Sequence, residues 1–424
     1  MEVACSPSYF ISNMIKSILV IGGIITLSAC NSPNKDKTKE NETAFLVSSG
    51  KGLADCQNLT TDNKGNPVIS WVEGEKDESC FYYSVSTDNG QSFNAPTKVL
   101  PTLGLSPHHE SMPKIAFKAD GTAIVVYQKK TPTPENRFAG AIYYIQSFDE
   151  GESWSKPNYL HADTTIGIGR SYFDITTLPN GEVGAIWLDG RKKSRSGATL
   201  FFAKTKNDSG FKDEIELDDK TCQCCRTAIF VDQNNNINVA YRDIINDSIR
   251  DMVHLYSSNL GESFSSQKRL SEDNWVISGC PHTGPTITED KDGLNFYWFT
   301  MGNGQGVYHT STNNHGNYFT ERKLINSEAK HPQAASLKGG GTALVYEEDF
   351  KTDSIFRSRI GISIQNEKSK KDLLYITPDS VDCSYPVALG LKNNKVLVAW
   401  SQKDKKLTQV YFKLISTKNN ITIQ

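Results

Sequence analysis

The chain has 424 residues and a formal net charge of −2, with lysines and arginines scattered among the acidic residues. This pattern leaves no basic stripe of the kind that binds a phosphate backbone, so it excludes nucleic acid as a partner. Nothing in the composition indicates an oligomeric state, and we make no prediction about one.

The chain begins with a segment that is typical of an export signal. Lys16 precedes an apolar run, residues 17–27, that is too short to span a bilayer as a mature helix. Residues 27–30 (Leu-Ser-Ala-Cys) resemble the lipobox of bacterial lipoproteins, in which the cysteine is lipidated and becomes the new N-terminus. We therefore interpret residues 1–29 as a signal peptide, with Met14 a more conventional start than Met1, and predict lipidation of Cys30.

We interpret residues 30–43 as the lipidated cysteine and a flexible tether. Residues 31–42 (NSPNKDKTKENE) contain no large apolar side chain, so they cannot bury enough surface to fold. A chain anchored in this way belongs in the bacterial cell envelope. We expect it at the outer membrane, on the periplasmic or the surface face, with the membrane as a partner through the lipid.

A β-hairpin pattern recurs seven times over the rest of the chain. Each copy has an apolar strand that alternates with period two, a turn rich in Asn, Asp and Gly, and a second strand ending in an aromatic residue. The closing aromatics are Trp71, Tyr127, Trp187, Tyr241, Trp298, Tyr346 and Trp400. Their spacing of 48 to 60 residues indicates one structural unit per repeat.

A second motif, Ser-x-Asp/Asn-x-Gly-x-x-aromatic, lies between the hairpins. Good copies start at Ser86, Ser147 and Ser257, a copy with one residue inserted starts at Ser311, and a decayed one surrounds Asn207. The pattern suits a turn, because the side-chain oxygen accepts backbone N–H bonds and glycine takes the strained position. The motif resembles the Asp box (BNR repeat) of the sialidase superfamily.

Repeat and resemblance together predict an all-β fold, a sialidase-like β-propeller that forms one domain over residues 44–424. Radial stacking of four-stranded sheets buries both faces of each sheet, and closure of the ring removes the exposed edges. Seven hairpins favour seven blades, with six as the alternative because familiar sialidases have six. Residues 43–49 are expected to add the outer strand of the last blade and close the ring.

In a propeller the loops before the innermost strands open on one end, around the channel mouth. In this chain those loops hold six of the seven cysteines that follow Cys30 and four of the eight histidines. The set is Cys56, His108, His109, Glu110, Arg170, Tyr172, Cys222, Cys224, Cys225, Arg226, Cys280, His282, His331, Cys383 and Tyr385. Loops between second and third strands add Glu73, Asp189, Arg191, Arg242, Asp243, Glu347 and Glu348. We predict the functional site here.

The cysteines support two hypotheses. Export permits disulfides, and Cys56 and Cys383 belong to the first and last blades, which become neighbours when the ring closes. Alternatively a zinc or copper ion is held, because thiols and imidazoles together suit these metals. The candidate metal ligands are Cys222, Cys224, Cys225, Cys280 and His282, with His108, His109 and His331 as further candidates. Cys280 could instead bridge to the 222–225 loop, so both hypotheses stay open.

The family resemblance implies a further set of roles. Sialidases hold the substrate carboxylate with three arginines and use a tyrosine paired with a glutamate as nucleophile, with an aspartate as acid or base. The matching ligand-binding candidates are Arg170, Arg191, Arg226 and Arg242, and the catalytic candidates are Tyr385, Glu347 and Glu110. The sequence departs from the family, because the Arg-Ile-Pro motif is missing and the four arginines come from two adjacent blades. Salt bridges between neighbouring loops are the alternative explanation for the arginines.

These observations predict an exported lipoprotein that binds a glycan or another anionic ligand at the channel mouth, beside a Cys/His cluster that holds a metal or disulfides. The enzyme alternative is an exo-α-sialidase that releases terminal sialic acid. The second alternative is a non-catalytic metal-binding or scaffold propeller.

Overall fold

The computed structural model describes residues 43–192, 197–352, 355–366, 369–404 and 407–417. All of them lie within one compact unit. The predicted signal peptide, Cys30 and the tether before residue 43 lie outside the described residues. Within the described ranges, no helix is long and apolar enough to cross a membrane.

The structure is a seven-bladed β-propeller in which every blade is a four-stranded antiparallel sheet, as the repeat predicted. The chain starts with β1 (Phe45–Leu46). Blade one contains β2 (Ala54–Thr61), β3 (Pro67–Glu73), β4 (Cys80–Val85) and β5 (Thr97–Val99). Blade two contains β6 (Lys114–Phe117), β7 (Ala123–Lys130), β8 (Gly140–Ser147) and β9 (Asn158–Tyr159). Blade three contains β10 (Arg170–Thr177), β11 (Val183–Asp189), β12 (Ala198–Thr205) and β13 (Phe211–Thr221).

The remaining four blades follow the same order. Blade four contains β14 (Ala228–Val231), β15 (Ile237–Arg242), β16 (Met252–Ser257) and β17 (Lys268–Arg269). Blade five contains β18 (Thr286–Asp290), β19 (Gly293–Thr300), β20 (Gly306–Thr312) and β21 (Lys323–Asn326). Blade six contains β22 (Ala329–Ser336), β23 (Thr342–Thr352), β24 (Ile355–Asn366) and β25 (Ser369–Tyr375). Blade seven contains β26 (Asp382–Leu391), β27 (Lys395–Asp404) and β28 (Leu407–Ser416). Short 3-10 helices cover Lys76–Glu78, Leu100–Thr102, His109–Ser111 and Asn207–Ser209.

Strand β1 closes the ring as the outer strand of blade seven, which confirms the prediction for residues 43–49. Phe45 is paired with Phe412 and Leu46 with Tyr411 in an antiparallel ladder with β28. Just beyond β1, the Ser48 hydroxyl donates to Gln409 Oε1 at 2.8 Å. The first and last segments of the domain therefore form one sheet, and no blade is left with an open edge toward a missing neighbour.

The seven closing aromatics lie at the centre of the blades and are all at most 1% exposed. They pack with β-branched and aromatic residues of adjacent blades, so each sheet buries both of its faces against neighbours. A continuous apolar layer around the ring is the result. This layer holds the inner strands, and the loops before them, in fixed positions.

Four Asp boxes share one hydrogen-bond pattern. The serine or threonine hydroxyl donates to the side-chain oxygen of the aspartate or asparagine, and both oxygens also accept backbone N–H groups of the turn. In the first, Ser86 Oγ donates to Asp88 Oδ1 at 2.8 Å and accepts from the backbone N–H of Gly90. The fourth starts at Thr312, whose hydroxyl donates to Asn314 Oδ1 at 2.9 Å. The prediction of an insertion after Ser311 is therefore wrong, because threonine replaces serine at the capping position and the spacing is regular.

Strand direction decides which loops meet at the channel mouth. Each blade runs inner, second, third and outer strand in order, so the Asp boxes between third and outer strands share one end with the first hairpin turns. The loops that enter inner strands, and those between second and third strands, share the other end. That end is the channel mouth in the following description.

Candidate functional site

The inner strands of four blades carry a β-bulge at the channel mouth. In β2, β10, β22 and β26, two residues of the inner strand oppose one closing aromatic of the second strand. The first bulged residues are Cys56, Tyr172, His331 and Tyr385, with φ between 50° and 55°. His282, before β18, also has a φ of 50°. Residues with a Cβ rarely adopt this conformation, and such strain concentrates at functional sites.

A buried ion pair lies on the propeller axis below the mouth. Arg226 Nη1 donates to Glu110 Oε1 at 2.8 Å, and Nη2 donates to the carbonyl oxygens of Pro332 at 2.9 Å and Gly284 at 3.2 Å. The second Glu110 oxygen accepts the backbone N–H of Gly284 at 3.0 Å. Because Arg226 comes from blade four and its partners from blades two, five and six, the guanidinium lies at the centre of the ring.

A polar cavity of about 180 Å³ occupies the channel beyond this ion pair, lined by inner-strand residues of all seven blades. Arg226 forms part of its wall, and the Lys114 ammonium bonds Asp174 Oδ1 across it at 2.7 Å. Since Arg226 precedes β14, it lies at the mouth end of the cavity. The ion pair therefore separates the mouth from the channel interior.

Three rings stack in the mouth, with Tyr385 between two imidazoles. Its ring centroid lies 4.0 Å from that of His109 and 4.4 Å from that of His331. His331 Nδ1 bonds Glu347 Oε2 at 2.9 Å, and the same oxygen accepts the backbone N–H of Tyr385 at 3.1 Å. Burial opposes ionisation of Glu347, but His331 and Lys330 bring its pKa down to about 2. Glu347 is therefore a carboxylate at neutral pH.

This arrangement does not reproduce the nucleophile pair that the sequence predicted. Burial and the nearby charge of Glu347 raise the pKa of Tyr385 well above its usual value, so the phenol stays protonated. Among the hydrogen bonds of the described residues, neither Glu347 nor Glu110 reaches the Tyr385 hydroxyl. Glu347 is instead bonded to His331, and Glu110 is bonded to Arg226.

The four predicted ligand-binding arginines are engaged by the protein. Arg170 Nε donates to Asp189 at 3.0 Å, and Arg191 donates to Asp189 and to Glu214 at 2.6 Å each. Arg226 is paired with Glu110, as described above. Arg242 donates to the carbonyl oxygens of Phe299 at 2.8 Å and Arg250 at 2.9 Å. Arg170 and Arg242 are 2% and 1% exposed. The contacts of Arg170, Arg191 and Arg226 correspond to the salt-bridge alternative, whereas Arg242 bonds backbone carbonyls. Binding of a ligand by any of the four would require these bonds to break.

Three thiols of the blade-four loop form a compact buried cluster. Cys222 Sγ lies 3.7 Å from both Cys224 Sγ and Cys225 Sγ, and Arg250 Nη1 donates to it at 3.1 Å. Hydrogen bonds from the other two thiols lower the pKa of Cys222. The bond with Cys222 raises the pKa of Cys224, and burial raises that of Cys225. The two neighbouring thiols and the Arg250 guanidinium therefore favour the thiolate form of Cys222.

The other predicted metal ligands lie outside this cluster. Cys280 is exposed, and His282 Nδ1 lies 3.3 Å from the Tyr172 hydroxyl. His108 Nδ1 accepts the backbone N–H of Glu110 at 3.2 Å, which places the proton of a neutral ring on Nε2 and leaves no free lone pair for a metal. Burial and the adjacent His282 lower the pKa of His108 to about 4, so this ring is neutral. His109 and His331 belong to the Tyr385 stack.

The Cys56–Cys383 pair is not joined in the structure, where all seven cysteines of the described residues are free thiols. Cys56 packs into the core between blades one and two, and its Sγ lies 3.9 Å from His109 Nδ1. Cys383 packs between blades six and seven, with Gln402 Oε1 at 3.7 Å. Their side chains leave the backbone toward different inter-blade cores, which is why adjacency of the blades does not bring the sulfurs together.

Sequence reasoning missed two groups that surround these clusters. Arg250 provides positive charge beside the thiols, and Asp55 Oδ2 lies 3.6 Å from His109 Nε2. Neither residue belongs to a motif: Arg250 reaches the thiols from the loop between β15 and β16, whereas the thiols lie in the loop before β14.

The axial ion pair gives a stability prediction. Arg226→Met leaves Glu110 charged and buried without its partner, so we expect the free energy of unfolding to fall by about 3–5 kcal/mol. Glu110→Leu combined with Arg226→Met removes both charges and should cost less. Urea denaturation followed by tryptophan fluorescence measures both changes.

The matched control for this prediction is Lys64→Met, which breaks an exposed ion pair with Glu150 and should leave the urea midpoint unchanged. Equal losses in the single and double variants would contradict the role of the buried pair.

Comparisons with known proteins agree with this architecture. No curated protein sequence matches the chain. A lectin of Burkholderia pseudomallei superposes with a TM-score of 0.55 at 10% identity, covering 89% of this chain and 98% of the lectin. A protein of Dyadobacter fermentans has a TM-score of 0.50 at 15% identity, with coverage of 73% and 96%. An intramolecular trans-sialidase of Ruminococcus gnavus has a TM-score of 0.49 at 10% identity, with coverage of 90% and 98%. The family model of the BNR repeat-like domain matches residues 105–398, and this chain therefore belongs to the BNR repeat-like family, folded as a seven-bladed β-propeller.

Proposed function

We propose that this propeller binds a transition-metal ion at its channel mouth, with Cys222, Cys224 and Cys225 as the principal ligands. The observation that carries the proposal is the contact of three buried sulfurs, with Cys222 Sγ 3.7 Å from each of the other two. Thiolates are the ligands that soft and borderline metals prefer. The hydrogen-bond donors to Cys222 favour its thiolate form, which is the form that binds metal.

The surroundings of the cluster support binding rather than catalysis by a thiol nucleophile. The three cysteines are between 1% and 4% exposed, so a substrate cannot reach them without a rearrangement. The Tyr172 side chain packs against the cluster, and its hydroxyl lies 3.3 Å from His282 Nδ1. The mouth residues therefore act as a packed shell that keeps the thiols in place.

Metal content is the direct test. Protein purified under reducing conditions without chelators should carry about one metal ion per chain, because three convergent thiolates bind soft ions tightly. Inductively coupled plasma mass spectrometry measures the ratio. The variant with Cys222→Ser, Cys224→Ser and Cys225→Ser should lose the metal.

Cys80→Ser is the control, because Cys80 is a buried thiol at the start of β4 in blade one that bonds Val99 and Thr102 and does not belong to the blade-four cluster. It should retain the metal. Metal-free protein with reduced thiols, or metal retained by the triple variant, would overturn the proposal.

Glycan binding is the second candidate function. Loops of the mouth end expose two aromatic rings, Phe138 at 66% and Phe356 at 74%, and exposed aromatic faces are suited to sugars. We expect binding without hydrolysis, because the guanidiniums that a sialidase needs are engaged and the Tyr385 phenol has no carboxylate partner.

A fluorogenic sialoside tests this expectation, with no release of the fluorophore above the rate of a buffer blank as the expected result. The Tyr385→Phe variant is the control for any residual signal. Turnover that disappears in Tyr385→Phe would instead establish the exo-sialidase alternative.

We propose export and lipid anchoring on the basis of the lipobox at residues 27–30.

Labelling cells with a radioactive fatty acid tests the anchor. The protein should incorporate label and partition into detergent, and Cys30→Ser should abolish both, because the thiol is the attachment point. Cys80→Ser is the matched control, because Cys80 stays in the mature chain, and it should retain the label. Label retained by Cys30→Ser would contradict the anchor at this position.

A further inference from the structure

We infer that the ion held by Cys222, Cys224 and Cys225 is monovalent copper, bound by three thiolates in a closed site. This inference rests on the proposed metal binding and goes further by naming the ion and its coordination. Three properties of the site lead to it: the spacing of the sulfurs, the number of ligands and the surrounding charge.

The spacing of the sulfurs admits a small soft ion. Cys222 Sγ lies 3.7 Å from each of the other two sulfurs, and all three lie within 4.8 Å of one another, so an ion equidistant from them in their plane lies roughly 2.1–2.4 Å from each, which matches the metal–sulfur distance of about 2.3 Å. Tetrahedral zinc separates its sulfurs by about 3.8 Å, which fits equally well. The distances therefore exclude a large cation but do not choose between copper and zinc.

The ligand count favours copper. Within the described part of the chain, no fourth histidine, cysteine or carboxylate joins the three cysteines at coordinating distance. Structural zinc sites take four protein ligands, and catalytic ones keep an open position for water. Here the thiols are too deeply buried for an open, hydrated position, so a three-coordinate ion suits the site. Monovalent copper accepts thiolate ligands and needs no fourth one.

The surrounding charge supports an anionic set of ligands. Arg250 Nη1 donates to Cys222 Sγ at 3.1 Å, and Arg242, only 1% exposed, is joined to the same loop by the Cys222 N–H, which donates to its carbonyl oxygen at 2.8 Å. Neither guanidinium has a carboxylate partner among the ion pairs of the described residues. The nearby carboxylates are bonded elsewhere: Glu110 to Arg226, Asp251 to Arg269, and Asp243 to Gln267 and the backbone of Ile244.

These charges can be counted. Three thiolates and a monovalent ion carry a net charge of minus two beside the guanidiniums of Arg242 and Arg250. Among the described residues, the buried Asp243 carboxyl bonds only Gln267 and the Ile244 N–H, so the number of ligands, and not the charge balance, carries the choice of a monovalent ion. The closed coordination leaves no position for a substrate, so the site stores or carries copper rather than performing chemistry on it.

The test uses the full-length reduced protein under anaerobic conditions, titrated with monovalent copper against a chromogenic copper chelator and, separately, with zinc. We expect one copper ion per chain and, by X-ray absorption at the copper edge, three sulfur neighbours. Arg250→Met should weaken copper binding by about 10- to 100-fold, as loss of a group that supports a metal ligand does. Arg357→Met removes a distant exposed arginine and should leave the affinity unchanged.

Each alternative outcome has a distinct meaning. Zinc bound by the three cysteines in preference to copper would overturn this inference while leaving the proposed metal binding intact. Copper with nitrogen neighbours, or unchanged affinity in Arg250→Met, would also overturn it. If neither ion binds the reduced, folded protein, both the inference and the proposed function fail.

Discussion

The buried ion pair between Glu110 and Arg226 organises the channel mouth. Its guanidinium bonds groups from three other blades, so the loops that enter four of the seven inner strands depend on one interaction at the centre of the ring. Removing a charge pair from water at this depth costs free energy. The attraction between the charges offsets that cost only when the geometry is good and further hydrogen bonds are made. Both oxygens of Glu110 and both terminal nitrogens of Arg226 are hydrogen-bonded, and these bonds hold the loops that carry the thiols and imidazoles in place.

The platform gives the mouth a chemistry that differs from that of the sialidase pattern. Arginines that would bind an anionic substrate are bonded to carboxylates and carbonyls, and the tyrosine in the last blade is enclosed by His109 and His331. Positive charge is instead directed at sulfur, where Arg250 and Arg242 face the Cys222 loop. The same fold thus carries a different site, as expected when function depends on a few loop residues.

Much of the fold followed from local patterns. Each closing aromatic, such as Trp71 or Trp400, lies in a second strand as predicted, although these two strands continue for two and four residues beyond it, to Glu73 and Asp404. The bulged residues stand 15 positions before those aromatics in four blades, so their place at the mouth also followed from repeat spacing. The exception at Ser311 arose because threonine substitutes for serine in the Asp box, which changes the apparent register by one residue.

The sequence by itself determined the all-β class, the seven repeats, the ring closure by residues 43–49 and the set of residues at the mouth, because these depend on contacts within one repeat or on its period. Only the tertiary structure decided which mouth residues bond each other. Cys56 and Cys383 enter different inter-blade cores, Cys280 stays outside the thiol cluster, and Glu110 is bound by Arg226. Such pairings depend on side-chain directions and loop paths across several blades, and no local pattern encodes them.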